Sequence, residues 1–256
     1  MKKRTAIKRI LAFMTAPAIL LAAPRTAWSE WEHDGAAVFV LSDTNDGTEE
    51  FAFLGDTFFF GESTTAHLAR KGGVLDTPLL ARHVWRDTSG TRMLDGRILS
   101  SSVDYIDPNG SMRKLSLEEA LLCEQPRHLI LSFGLNGILY FHKHTDVFLR
   151  DYRRLILCVK ELSPRTEILL QTVYPVGENT VFSESKGAIN AYIEALNTSL
   201  SELSSEIDGI TLVNTATILR DEHGSLKKEY DLGDGIHLTN EAYREILRHL
   251  APYLKK

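Results

Sequence analysis

The chain has 256 residues, of which 43% are hydrophobic and 25% charged, ordinary globular values that exclude collagen-like, disordered and fibrous repeat classes. Its 29 basic and 34 acidic residues sum to −5, but six of the basic groups and none of the acids fall in the first 29 residues, leaving 23 against 34, or −11, beyond them. So acidic a chain is a poor partner for phosphate backbones, so no nucleic-acid partner is expected, and the length fits one α/β domain or at most two small ones.

Lys2, Lys3, Arg4, Lys8 and Arg9 precede an apolar run over residues 10–23, and Ala27-Trp28-Ser29 gives a small-x-small pattern before Glu30. This is the three-part layout of a secretory signal peptide, assigned to residues 1–29. The run is short for a bilayer span, and Pro17 and Pro24 interrupt it; an uncleaved N-terminal anchor is the alternative. No cysteine lies near the cleavage point to carry a lipid, and no later stretch reads as a membrane span. The expectation is a secreted or cell-surface protein with no stable membrane insertion after signal cleavage. Residues 30–56 read as an N-terminal arm, acidic over 43–50, and residues 57–256 as the folded domain.

Thr57-Phe58-Phe59-Phe60 is a short apolar run ended by Gly61, consistent with a buried strand, and residues 63–69 read as the first turns of a helix ended at Lys71-Gly72-Gly73. His83-Val84-Trp85 is a second short strand. Residues 98–105 alternate weakly before the turn Asp107-Pro108-Asn109-Gly110, which suggests a hairpin inserted between the main elements. Ser116-Leu117-Glu118-Glu119 opens a helix with a cap and early acids. Residues 127–133 (RHLILSF) read as a strand covered on both faces. Residues 146–162 have helical apolar spacing, 167–174 form the next strand, 189–203 a helix, 210–213 a strand and 241–254 a closing helix. Strands alternating with helices of this length require parallel crossovers, so the predicted fold is a three-layer α/β/α sandwich around a parallel sheet of about five strands. Cys123 and Cys158 are the only cysteines; export permits a disulfide, but both are expected to be unpaired, packed thiols, and two cysteines supply no zinc-ribbon or iron–sulfur pattern.

Such folds carry their sites at the carboxyl ends of the strands. Past three apolar runs stand Gly61-Glu62-Ser63, Gly134-Leu135-Asn136-Gly137 and, after a long loop, Asp234-Gly235-Ile236-His237. A serine, an asparagine and an Asp/His pair thus gather on one edge, the parts that acyl transfer needs: nucleophile, base, group to orient the base, and oxyanion donors. Each has a plainer reading alone. Ser63 is a favoured helix N-cap, Asn136 a common loop residue, Asp234-Gly235 a turn, and His237 a structural histidine. The case rests on their order and placement together.

In Phe60-Gly61-Glu62-Ser63, Gly134-Leu135-Asn136 and Asp234-Gly235-Ile236-His237, the sequence resembles the SGNH/GDSL hydrolase family from about Thr57 to the C-terminus. It departs from the family pattern at Glu62, where the usual G-D-S has Asp, and at Gly137, where the usual G-x-N-D has Asp. A decoy, Gly55-Asp56-Thr57, precedes its strand instead of following it, so Ser63 is preferred. The resemblance implies a flavodoxin-like sandwich and a serine esterase with Ser63, His237 and Asp234 as catalytic residues and Ser63, Gly90 and Asn136 as the oxyanion hole; Gly96 is the alternative to Gly90. It implies no cofactor and no metal.

His142 and His144 have no matching acid or thiol cluster and read as a helix start, not as metal ligands. Residues 174–179 also follow a strand and are either a cleft wall or a plain connector. The expected function is an exported esterase that removes small, acetyl-like acyl groups, with a small-molecule or carbohydrate ester as substrate. The alternatives are an O-acyltransferase on cell-wall or extracellular polysaccharide, and a degenerate member that binds a glycan or a protein.

Overall fold

The computed structural model describes residues 31–33, 36–38, 48–87 and 93–254. The expected signal peptide at 1–29 and Gly90 lie outside the described residues. No helix among the described residues is long and apolar enough to cross a membrane.

β1 (Trp31–His33) and β2 (Ala36–Val38) pair as an antiparallel ribbon. A 3-10 turn, Thr48–Leu54, follows and buries Phe51 and Leu54. Next come β3 (Thr57–Gly61), α1 (Ser63–Ala66), α2 (Pro78–Ala81), β4 (Val84–Asp87), β5 (Ser102–Ile106), β6 (Met112–Ser116) and α3 (Leu117–Glu124). The second half runs β7 (His128–Ser132), α4 (Ile138–Phe141), α5 (Thr145–Leu162), β8 (Glu167–Gln171), α6 (Lys186–Glu206), β9 (Ile210–Val213), α7 (Ala216–Leu219) and α8 (Asn240–Leu254).

The main sheet has seven strands in the order β6-β5-β4-β3-β7-β8-β9. The five from β4 to β9 are parallel, which is the expected α/β/α core. The strand count exceeds the expectation of about five because β5 and β6 are not a separate insertion: β5 pairs antiparallel with β4, and the hairpin extends the same sheet. A mixed edge of this kind is common on doubly wound sheets. The hairpin turn is fixed by Asp107, whose carboxylate accepts the N–H groups of Asn109 and Ser111. Exposed Arg113 and Lys114 on β6 keep the outer edge from pairing with another chain.

β3 and β7 are buried at every residue, with apolar centres over 58–60 and 129–131, because both faces of the sheet are covered. Phe58, Phe60, Leu129 and Leu131 pack with α3, α5 and α6, whereas Phe59 and Ile130 pack with α8 and the 3-10 turn. Among the parallel strands the chain starts at β3, steps to β4, then crosses to β7 on the other side, an order of 2-1-3-4-5. Loops diverge at the carboxyl ends of β3 and β7, and this switch point is where open α/β sheets bind ligands.

α3 begins with a full capping box between Ser116 and Glu119. It buries Leu117, Ala120 and Leu121, so Cys123 falls on the opposite face. Both cysteines are free, but Cys123 is exposed, not packed.

Thr57 starts β3 at the end of the sheet away from the switch point. Its carbonyl accepts from His83 Nδ1 at 2.7 Å, and its hydroxyl lies 3.3 Å from His128 Nδ1. Burial holds both imidazoles below their ordinary value of 6.5. The native state then binds fewer protons than the unfolded chain below that value, so stability rises with pH up to about 6.5 and is lost as pH falls through this window. The contribution of these two histidines to stability should therefore fall between about pH 7 and pH 5. His83→Gln, which keeps a donor for the Thr57 carbonyl, should flatten that slope by at most about 1.4 kcal/mol per pH unit. Thermal unfolding of both proteins across the range checks this.

Candidate active site

Ser63 is the first residue of α1, not its cap. The N-cap is Glu62, in extended backbone, with its side chain turned away from the helix. The Ser63 hydroxyl is therefore not spent on capping, and neither it nor the Ser63 N–H has a hydrogen-bond partner among the described residues. The turn between β3 and α1 requires glycine: a Cβ on Gly61 would lie 2.2 Å from Thr65 Oγ1 and 2.4 Å from the Ser132 carbonyl oxygen. The decoy Thr57 sits at the other end of the same strand, buried beside His128.

Glu62 stands in the sequence as a departure from the family pattern; in the fold it is the bond between two strand ends. Its buried carboxylate accepts the N–H groups of Leu135 and Asn136 at 2.9 Å each and of Gly134 at 3.4 Å. The loop that presents Asn136 at the end of β7 is thus held by a side chain from the end of β3. Burial pushes the Glu62 carboxyl up to about 7, against the three N–H groups, which favour the carboxylate. Gly137, the other departure, is the N-cap of α4, and a Cβ there would meet the Phe141 ring at 2.3 Å and Met93 at 2.6 Å. An aspartate at this position could not coexist with that packing.

Asp234 and His237 lie on a closed loop between α7 and α8. His237 Nδ1 is 2.6 Å from Asp234 Oδ2, while Asp234 Oδ1 accepts the N–H groups of Ile236 and His237 at 2.9 and 2.8 Å. Partial burial raises the Asp234 carboxyl, but the His237 side-chain hydrogen bond, the two N–H groups and the His237 charge outweigh it and hold the group below its ordinary value. Asp231 accepts the N–H groups of Gly233 and Gly235, and the Leu232 N–H donates to the His237 carbonyl, which closes the loop. Residues 174–179 lie against it, with the Gly177 N–H donating to the Gly235 carbonyl at 2.8 Å.

Among the described residues, Asp234 and His237 are joined directly and no hydrogen bond links Ser63 Oγ to His237. The contact between the nucleophile's helix and the histidine's loop is His67, whose ring centroid is 4.2 Å from that of His237. Gly96, the alternative to Gly90, accepts Arg154 of α5 at its carbonyl. His142 stacks on Tyr192 at 3.9 Å and His144 precedes α5. No group of three or more His, Cys, Asp or Glu side chains suited to a metal occurs among the described residues. Two residues that shape the site, Glu62 and His67, were legible only as neighbours of Ser63, one position before it and four after.

Comparison with known proteins adds the family. The model of the GDSL-like lipase/acylhydrolase family matches residues 53–245. The chain belongs to this family. Membership makes it an ester-bond hydrolase. A GDSL-like lipase from Bacteroides thetaiotaomicron shares its fold, with a TM-score of 0.51 at 16% identity over 81% of this chain and 95% of its own. An acetyl xylan esterase gives a TM-score of 0.50 at 18% identity over 77% of this chain and 98% of its own. No curated protein sequence matches at a significant level.

For this GDSL-like enzyme, Glu62→Gln replaces an acceptor by an amide whose NH2 group faces N–H donors, so the Asn136 loop loses at least one bond. The variant should hydrolyse p-nitrophenyl acetate with kcat down about tenfold or more and KM little changed. Glu62→Ala should cost at least about 1–3 kcal/mol in unfolding experiments, because buried N–H groups lose their partner.

Proposed function

We propose that the protein is an exported serine esterase that releases short, acetyl-like acyl groups from carbohydrate or other small esters. The observation that carries the mechanism is the Asp234–His237 pair, locked at 2.6 Å on a loop whose ring packs against the helix that begins with Ser63. Ser63 Oγ attacks the ester carbonyl while His237 Nε2 takes its proton. Asp234 supports the resulting imidazolium. The oxyanion is held by the Ser63 N–H, the Asn136 side-chain amide and the Gly90 N–H. Collapse passes the proton from His237 to the departing alcohol, leaving an acyl-serine. Water, deprotonated by His237, then attacks the acyl carbon and frees the acid and Ser63.

The two departures from the family pattern, Glu62 and Gly137, argued for a degenerate binding member when read alone. Each has a local role, one holding the Asn136 loop and the other giving room to Phe141 and Met93, and that supports a working enzyme. The carbohydrate half of the proposal draws on the fold likeness to an acetyl xylan esterase and on the acidic chain beyond residue 29.

A fluorophosphonate probe should label Ser63 in the purified protein, and Ser63→Ala should abolish labelling and lower p-nitrophenyl acetate turnover by about 10⁴-fold or more. Asp234→Asn should lower kcat by about 10³–10⁴-fold. Labelling with acyl transfer to added sugars outpacing hydrolysis would turn the proposal toward an O-acyltransferase. A folded protein that takes no label would make it a binding member. Export is read from the basic and apolar start of the chain, and N-terminal sequencing of the secreted protein should begin at Glu30.

A further inference from the structure

We propose that His67 is a positioning residue that limits the orientation of the His237 ring through a tilted ring-to-ring contact, and so sets the direction in which His237 Nε2 points. This rests on His237 being the base of the esterase.

A hydrogen bond at one edge of an imidazole does not by itself define the ring plane. Asp234 holds Nδ1 of His237, but the ring could still turn about that bond. His67 removes this freedom. Its ring centroid lies 4.2 Å from that of His237, with the two planes tilted by 30°. It is well placed to do so. The His67 N–H donates to the Ser63 carbonyl, closing the turn that Ser63 opens, so the two side chains rise from successive turns on one side of the helix. α1 and the residue that caps its C-terminal end therefore present the nucleophile and the surface against which the base rests.

The platform is itself anchored. The Tyr243 hydroxyl of α8 donates to the Thr64 carbonyl at 2.7 Å, and Asn240 Nδ2 donates to the Gly72 carbonyl at 2.8 Å. Because α8 follows directly on Leu238 and Thr239, the element that carries His237 and the one that carries His67 share these bolts. Loss of the His67 ring would leave them in place.

The Nδ1 atom of His67 is buried without a hydrogen-bond partner among the described residues, so it makes no bond that could fix the His237 ring. Burial, then the charge of His237, then that of Arg70 lower its pKa to about 4, against the opposing pull of Asp234. The ring stays neutral where an esterase works, so it can lie against an imidazolium without a second like charge. What remains is shape: a flat ring of the right width.

The test is a set of three variants in the full chain. His67→Ala should lower kcat for p-nitrophenyl acetate about tenfold or more, slow fluorophosphonate labelling of Ser63 equally, and leave KM within about twofold. His67→Phe, which keeps a flat face and no titratable nitrogen, should return kcat to within about threefold of wild type. His67→Leu fills similar volume without a flat face and should behave like His67→Ala; it serves as the reference if the alanine variant unfolds. Nitrogen-15 shifts of His237 should move in the Ala and Leu variants and return in Phe. Wild-type kcat in Ala or Leu, or a Phe variant as impaired as Leu, overturns the proposal. A wild-type protein that neither labels nor hydrolyses overturns the esterase reading instead, and the His237 shifts alone then decide whether His67 orders the ring.

Discussion

Two strand ends are tied together by one buried carboxylate. Glu62 leaves the end of β3, crosses to the loop after β7 and accepts three consecutive backbone N–H groups. Burying a carboxylate is costly, and here the cost is offset by hydrogen bonds from groups that would otherwise be orphaned at a strand end. The geometry this enforces is specific. Ser63 follows Glu62 by one residue and the Asn136 backbone N–H donates to it, so the backbone that carries Ser63 and the backbone that carries Asn136 are tied through a single intervening side chain. The raised pKa has a sign of its own. The folded chain retains a proton that the unfolded chain releases between 4.5 and about 7, so this carboxyl favours the fold less as pH rises through that window. The buried histidines act the other way, which gives the protein opposing titrations at the two ends of β3.

The Asp234–His237 side is built by different means. No sheet strand carries these residues. They sit on a loop closed by Asp231, by the Leu232 to His237 backbone bond and by contact with residues 174–179. Its rigidity comes from many short-range hydrogen bonds, and its location comes from α8, which packs into the core with Tyr243, Ile246, Leu247 and Leu250. The site therefore joins a sheet-borne half and a helix-borne half. Their relative position is set where α8 bonds to the carbonyls of Thr64 and Gly72.

What could be read in the sequence follows the range of the interactions. Residues 58–60 and 129–131 announced buried strands because strands covered on both faces read as continuous apolar runs. The Asp234–His237 pair was visible because its partners are three residues apart. The joining of β5 to β4 was not, since strand pairing depends on distant chain and the hairpin pattern is the same for an inserted or a continuing sheet. Ser63 looked like a helix cap because capping statistics favour serine, yet the chain enters the helix one residue sooner, at Glu62. The partnership of Glu62 with Asn136 spans 74 residues, and no local pattern reports it.

Glu62 and Gly137 stand on opposite sides of Asn136, and their departures from the family pattern fit together. Glutamate reaches farther than aspartate by one methylene, enough to span the gap to the backbone of residues 134–136 from the N-cap position. That leaves the far end of the same loop with no carboxylate to place. Glycine there lets the Phe141 ring and Met93 close against the backbone, with the Gly137 carbonyl accepting the N–H groups of Tyr140 and Phe141. The loop is thereby held by backbone hydrogen bonds to Glu62 at its start and by close packing at its end. A side chain at 137 would press on the Phe141 ring, which packs against Phe148 in the core, and on Met93, so these neighbours would have to shift. Glu62 and Gly137 thus act on the two ends of the loop that carries Asn136, one by hydrogen bonds to its backbone and the other by leaving room for its neighbours.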